Sequence, residues 1–197
     1  MKYLMATTNK HKFLELTDLM PLVQLELATK LDEVDENAST FLGNALLKAE
    51  AAYKQFNRPV ISDDSGLCVK ALHEGPGVHT ARYGSKEFGR MLESEERNEF
   101  LLKNIESAQD RSASFVCCMV AYISPYRIYT VCEEVKGSIT MKQAGCGGFG
   151  YDPIFQIDGL DKTMAELTQA EKGELSHRGR AAKIMNTLLA SIEGVEE

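Results

Sequence analysis

Two β-rich runs, 114–123 and 128–135, are separated by a short break at Ser124-Pro125-Tyr126. So short a polar break between such runs predicts a hairpin, which is antiparallel. The chain ahead of it reads differently. Residues 2–7 read as a buried strand and 23–28 as a second strand, with a helix near 11–20 between them, and Pro59-Val60-Ile61-Ser62 as a further short strand. From Thr40 to about Phe56, the residues Phe41, Ala45, Leu46, Ala49, Ala52, Tyr53 and Phe56 fall at helical spacing. Strands alternating with helices favour parallel pairing, whereas the hairpin demands antiparallel pairing. Both requirements are met by an α/β fold with a mixed central β-sheet flanked by helices. A charged helix is expected over 86–105. A last helix opens at Ser176-His177-Arg178-Gly179 and continues through Ala181, Ile184, Met185, Leu188, Leu189 and Ile192.

There is no repeat, low-complexity segment or long linker in the 197 residues, so the expectation is one domain over 1–197, or two lobes sharing a core. With 44% hydrophobic and 26% charged residues the chain reads as soluble and globular. A formal net charge of -7 argues against a nucleic-acid polymer as partner, because such binding needs a basic surface to neutralise phosphates. A local basic pocket for a small phosphorylated ligand is compatible with that charge. No apolar run approaches membrane-spanning length, and no membrane partner is expected. Met1-Lys2-Tyr3-Leu4-Met5 reads as the start of a strand rather than a signal peptide. The cysteines are Cys68, Cys117, Cys118, Cys132 and Cys146, without CxxC spacing. Cys117 and Cys118 lie inside an apolar run, which favours reduced core thiols over a metal site and places the chain in the cytoplasm.

Several short segments carry chemistry. Gly147-Gly148-Phe149-Gly150-Tyr151-Asp152-Pro153 combines three glycines, two rings and an acid. Glycines let backbone approach a ligand closely, Phe149 and Tyr151 offer faces on which a base could stack, and Pro153 would end the turn. A bulged hairpin tip reads similarly. Thr7-Thr8-Asn9-Lys10-His11-Lys12 joins a strand to a helix whose N-terminus presents N–H groups to an anion, with Lys10 and Lys12 as added charges. An ordinary capped helix with surface lysines is the competing reading. Asp63-Asp64-Ser65-Gly66 follows the third strand. Neighbouring side chains in a strand take opposite faces, so one acid could hold Mg²⁺ or orient water while the other is buried against a basic partner. A solvated Asx-turn is the alternative. Lys48 stands on an otherwise apolar helix, and could snorkel or face a phosphate. Upstream of it, Asp32, Glu33, Asp35 and Glu36 form an acidic loop. In 166–178, Ser176 could cap a helix with His177 and Arg178 in its first turn, where an arginine opposes the helix dipole. Donors there could read carbonyl and ring-nitrogen acceptors on a purine edge.

Together these segments resemble the inosine triphosphate pyrophosphatase family, also called XTP/dITP diphosphatases. The markers run in family order: Thr-x-Asn-x-x-Lys at 7–12, Asn-Ala-x-x-Lys-Ala at 44–49 and Asp-Asp-Ser-Gly-Leu at 63–67. Pro-Gly-Val-x-x-Ala-Arg-Tyr at 76–83 and Gly-Gly-Phe-Gly-Tyr-Asp-Pro-Ile-Phe at 147–155 follow. Ala-Glu-Leu at 165–167, Glu171-Lys172 and Ser176-His177-Arg178 complete the set. The resemblance implies hydrolysis of ITP, dITP or XTP to the monophosphate and pyrophosphate, with Mg²⁺. It also implies an elongated two-lobed fold with a cleft between the lobes, and a homodimer. By the same resemblance, Asp64 is the proton acceptor and a metal ligand, and Thr7, Thr8, Asn9, Lys10, His11 and Lys12 bind phosphates. Ser65, Phe149, Gly150, Tyr151, Asp152, Lys172, His177 and Arg178 contact the nucleotide, and Lys48, Asp63 and Arg82 line the same cleft.

One feature departs from the pattern. Many relatives carry Glu immediately before the Asn-Ala pair, or one place earlier, where this chain has Gly43 and Leu42. Glu36 is the replacement candidate, giving Asp64, Glu36 and Asp63 as expected metal ligands. The competing functions are a Maf-like pyrophosphatase of other specificity and a nucleotide-binding protein impaired in catalysis.

Overall fold

The computed structural model describes residues 1–193. Its strands are β1 (Lys2–Met5), β2 (Gln24–Leu27), β3 (Val60–Val69), β4 (Gly75–Pro76), β5 (Ser112–Ser124), β6 (Arg127–Ile139) and β7 (Phe155–Ile157). Its helices are α1 (Lys10–Leu19), α2 (Phe41–Phe56), α3 (Ser85–Phe88), α4 (Ser94–Asn104), α5 (Gln169–Leu175) and α6 (His177–Glu193). The strands form one seven-stranded sheet in the order β2-β1-β3-β5-β6-β7, with β4 on β3. β1 is parallel to both β2 and β3, while β3–β4 and β6–β7 are antiparallel. The sheet is mixed, as the sequence requires, and the hairpin turns at Pro125–Tyr126.

Two compact units emerge. The first comprises Met1–Ser65, Cys117–Glu133 and Arg178 onward; the second comprises Gly66–Val116 and Glu134–His177. In the first unit the strand alternation sorts side chains onto two faces. Tyr3 and Met5 of β1, with Cys117, Met119 and Ala121 of β5, pack with Leu16 of α1 and Met185 and Leu189 of α6. The intervening Leu4, Val120 and Tyr122 pack with Ala45, Ala49 and Ala52 of α2. Small alanines on α2 let that helix lie close to the sheet. The second unit has its own core, in which Leu67, Val69, Phe115, Val135 and Ile139 meet Leu101 and Ile105 of α4 and Tyr151, Ile154 and Phe155.

Three expectations change. The strand at 59–62 does not stop before the acids: β3 runs ten residues and carries Asp63 and Asp64 mid-strand. The charged helix over 86–105 is broken. Gly89, at φ +66°, ends α3. A new helix then starts at Ser94, with Glu93 and Glu96 closing a capping box. Cys118 is not a free thiol. It is bonded to Cys132, with Cα atoms 4.2 Å apart across the β5–β6 hairpin, a closeness typical of facing antiparallel residues. Cys68, Cys117 and Cys146 are free.

Candidate active site

Sheet register brings the first site together. Met5 pairs with Ile61, and Ala6 N–H donates to Ile61 O at 2.8 Å. Asp63 and Asp64 therefore extend past the carboxyl end of β1, where its chain turns into Thr7 and Thr8. That end of parallel strands is where open α/β sheets bind ligands. Asn9 caps α1, its Oδ1 accepting Lys12 N–H at 3.1 Å, and Thr7 Oγ1 accepts Asn9 N–H at 3.1 Å. The first turn of α1 holds no acid but carries Lys10 and Lys12, both unfavourable to the helix dipole, with His11 between them. Lys10 and His11 are exposed, while Lys12 turns inward to Asp63.

The two acids have separate lives. Asp63 is 2% exposed; its Oδ2 lies 2.7 Å from Lys12 Nζ and 3.6 Å from Arg178 Nε. Burial alone would raise its pKa, but the charges of Lys12 and Arg178 outweigh burial and hold it down to about 2. Asp64 accepts Lys48 Nζ at 3.2 Å and Asn44 Nδ2 at 3.2 Å. Here burial wins over Lys48 and Asn44, and the carboxyl is raised above its ordinary range. Lys48 Nζ also donates to Glu36 Oε2 at 2.9 Å. Burial works against the Lys48 charge, yet Asp64 and Glu36 raise its pKa. A cavity of about 610 Å³ opens here, lined by Thr7, Thr8, Lys12, Glu36, Lys48 and Asp63 among others. Asp64 joins this set through Lys48.

Hard carboxylate oxygens suit Mg²⁺, which is commonly held by one or two carboxylates plus substrate phosphates. Asp64 and Glu36 reach the same ammonium, so two such oxygens converge at one place. Asp63 does not fit that role, because two cations already neutralise its carboxylate; the expected three-carboxylate set reduces to Asp64 and Glu36. Among the described residues no group of three or more His, Cys, Asp or Glu is arranged to hold a metal ion.

The second unit presents a ring. Phe149 is 53% exposed, and Lys172 Nζ stands 4.8 Å from its ring centroid. Lys172 Nζ donates to Asp152 Oδ2 at 2.6 Å, and the same oxygen accepts Phe149 N–H at 2.9 Å. Gly148 and Gly150 adopt positive φ, +74° and +63°. Tyr151, expected beside Phe149 as a stacking face, is a core residue instead. It is 1% exposed, its hydroxyl donates to Thr80 O at 3.0 Å, and Arg97 packs 5.6 Å from its ring. Pro153 sits inside a 3-10 turn over Asp152–Ile154 rather than ending one.

His177 and Arg178 also differ from the expected edge readers. The His177 ring is 7% exposed and stacks on Phe115 at 4.8 Å between centroids. Arg178 is 3% exposed, donating to Glu15 Oε2 at 3.0 Å and Ser65 Oγ at 3.2 Å beside its Asp63 contact. Arg82 is exposed and hydrogen-bonds His79 Nδ1. Glu166 and Glu171 serve as capping-box acids behind Thr163 and Thr168.

Three polar residues escaped the sequence reading. Asn44, 1% exposed, ties Asp64 to the acidic loop by accepting Ala38 N–H at 3.0 Å. Glu15, half-buried, is a partner of the buried Arg178. Asn98 of α4, 1% exposed, donates to Gly150 O and Gln143 Oε1, both at 3.1 Å. Their one signal was an amide or acid on a helix face otherwise destined for burial.

The arrangement is that of an α/β protein with cations and carboxylates gathered at the carboxyl ends of parallel strands. A sequence model of the Ham1 family matches residues 3–188. The chain belongs to that family. It is 44% identical over 184 residues to a protein of Treponema denticola named dITP/XTP pyrophosphatase, covering 92% of this chain and 94% of that one. An Aquifex aeolicus protein of the same name is 40% identical, with 98% of both chains covered. The structure of the Staphylococcus aureus Ham1 protein is similar at a TM-score of 0.87 and 36% identity, covering 97% of this chain and 99% of that one. The structure of a HAM1 protein from Coxiella burnetii is similar at 0.88 and 33% identity over 97% and 99% of the respective chains.

Proposed function

We propose that this protein hydrolyses non-standard purine nucleoside triphosphates, ITP, dITP and XTP, to the monophosphate and pyrophosphate. The observation that carries the reading is the shared ammonium of Lys48 between Asp64 and Glu36, next to the Thr7–Lys12 turn, in a chain whose relatives bear the dITP/XTP pyrophosphatase name over nearly their full length. Thr7, Thr8, Asn9, Lys10 and Lys12 would take the phosphate oxygens through helix-terminal N–H groups, hydroxyls and ammonium charges. Asp64, whose pKa burial raises above the ordinary carboxylate value, orients the attacking water and accepts its proton. Lys48 keeps Asp64 and Glu36 together and offers positive charge to the phosphate oxygens on which charge develops. Asp63 acts indirectly, by fixing Lys12. Asp64 and Glu36 would hold Mg²⁺, which when bound supplies Lewis-acid stabilisation of phosphate oxygens.

Phe149 would carry the base. Stacking is blind to base identity, so discrimination falls to donors, and the Lys172 ammonium beside that ring is one. A 6-oxo purine offers this ammonium, already bonded to Asp152, a further acceptor, whereas the 6-amino group of adenine offers only a donor. His177, Ser65, Asp152 and Gly150 act here by shaping this unit or its neighbour rather than as open edge readers. The same reading includes a homodimer in the cytoplasm. No helix among the described residues is long and apolar enough to cross a membrane.

The deciding experiment is pyrophosphate release with Mg²⁺ from ITP, dITP, XTP, GTP, ATP and a pyrimidine triphosphate, compared at equal concentration. Release from the first three, with little from ATP, is the expected result. Equal release from the pyrimidine triphosphate, or none from any, overturns the proposal; size-exclusion with light scattering tests the dimer.

A further inference from the structure

Position 43 is the third residue of α2. Thr40 caps that helix, its Oγ1 accepting Gly43 N–H at 3.0 Å. Three other helix or 3-10 starts in this chain place a glutamate at that same third position, Glu96, Glu166 and Glu171, each reaching back to its capping residue. Glycine here has a different consequence. A Cβ at 43 would lie 2.7 Å from Ala38 Cβ and 3.0 Å from Thr40 Oγ1. Ala38 has already taken that space, and a methyl group carried on backbone has no rotamer by which to retreat.

Ala38 belongs to the acidic loop. That loop has no helix or strand of its own, so its position depends on where α2 holds it. Gln55 holds one end: its Nε2 donates to Lys30 O at 2.8 Å, and its Oε1 accepts Asp32 N–H at 3.2 Å. Asn44 holds the other by accepting Ala38 N–H, beside the Ala38–Gly43 contact. Glu36 lies between the two anchors and meets Lys48.

We propose that the contact of Ala38 on Gly43 is a steric lock that seats residues 31–39 so that Glu36 faces Lys48 and Asp64. Gly43 is thereby a positioning residue for the reaction proposed above, and the catalytic half of this inference rests on that reading.

The test uses Gly43→Ala, Ala38→Gly and their double variant, each with Glu36 or Glu36→Gln. Alanine is the better helix former, so propensity alone makes Gly43→Ala harmless or stabilising; the lock makes it loosen the loop. Amide hydrogen exchange at Ala38 reads this without any substrate. Gly43→Ala should speed that exchange and lower kcat/KM for ITP, each by about tenfold or more. Ala38→Gly in the same chain should restore both to within about threefold of wild type. With Glu36→Gln present, Gly43→Ala should cost less than about twofold further, because both act through one group. Should Gly43→Ala fail to fold, Ala38→Val presses the same contact from the loop side and must give the same loosening. Unchanged exchange in Gly43→Ala, no rescue by Ala38→Gly, or multiplying losses with Glu36→Gln overturns the lock. If wild type releases no pyrophosphate from any triphosphate, the functional reading fails while the exchange result still decides the lock.

Discussion

Asp63 and Asp64 are consecutive in β3, yet Asp63 contacts Lys12 at 2.7 Å with its side chain 1% exposed, while the Asp64 side chain is 15% exposed and meets Lys48. Strand alternation sends the two carboxylates to different environments. One is the counter-charge of Lys12 and the buried Arg178; the other is the acid proposed to activate water. Their amide variants should therefore fail in different ways. Asp63→Asn leaves Lys12 and Arg178 without their shared anion, a change that costs about 3–5 kcal/mol for a buried ion pair. At about 2–4 °C per kcal/mol for a chain of this size, the melting temperature should fall by roughly 10 °C. Asp64→Asn should retain its melting temperature within a few degrees, since burial already disfavours its charge. Its turnover should drop by about a thousandfold or more. Thermal melts and pyrophosphate release on the two proteins check this, and an active Asp64→Asn enzyme would sink the assignment.

The same pair predicts two pH dependences of distinct origin. Asp63 is held down to about 2 from its ordinary 3.8, so between these values the unfolded chain binds more protons than the folded one. Stability must then rise with pH through that window. The contribution, about 2 kcal/mol, is fully present above pH ~4 and is lost as pH falls toward 2. Asp64 is raised, so its effect on stability has the opposite sign. Its ionisation should appear instead as the acid limb of kcat/KM, with a midpoint above the ordinary carboxylate value of about 3.9. Urea melts from pH 5 to 2 on wild type and Asp63→Asn should converge at the acid end. A kcat/KM profile flat down to pH 4 would remove Asp64 as the base.

Phe149 and Tyr151 looked equivalent in the sequence and are not equivalent in the fold. Phe149→Ala should raise KM for ITP by an amount matching about 1–3 kcal/mol of lost stacking, with a smaller change in kcat. Tyr151→Phe removes only the hydrogen bond to Thr80 O. It should cost about 1 kcal/mol of stability and leave KM within about twofold. Steady-state kinetics with ITP and a thermal melt separate the two; an equal rise in KM for Tyr151→Phe would return it to the base site.

Much of the first unit was legible because its chemistry is local. A strand, a polar turn and a helix in 2–20 announce their own boundaries, and alternation alone separated Asp63 from Asp64. What escaped depends on distant partners. Tyr151 is buried because Thr80 and Arg97, 71 and 54 residues away in sequence, close over it. Cys118 finds Cys132 only once the β5–β6 register is set, and spacing alone does not reveal which residues face each other. Arg178 was correctly placed in the first turn of α6, and its conflict with the helix dipole was read as a sign of function. The conflict is relieved by Glu15 and Asp63, charges from α1 and β3 that no local pattern connects to it.

Gly148 offers the most stringent test of the base platform. Its φ of +74° already excludes an ordinary side chain, and a Cβ there would overlap Asp152 Oδ2. That oxygen holds both Phe149 N–H and Lys172 Nζ. Alanine at 148 must therefore displace the Asp152 carboxylate, release the Phe149 backbone and free the ammonium beside its ring. The strain of a non-glycine residue in this region is about 1–2 kcal/mol before any contact is lost. Gly148→Ala should thus raise KM for ITP and XTP by about tenfold or more, and narrow the preference for them over ATP as Lys172 loses its fixed position. The phosphate site proposed in the first unit shares none of these contacts, so binding of inorganic tripolyphosphate, measured by calorimetry, should stay within about twofold of wild type. Equal weakening of tripolyphosphate and ITP would mean that the loop supports the whole fold rather than the base, and the platform assignment would fall.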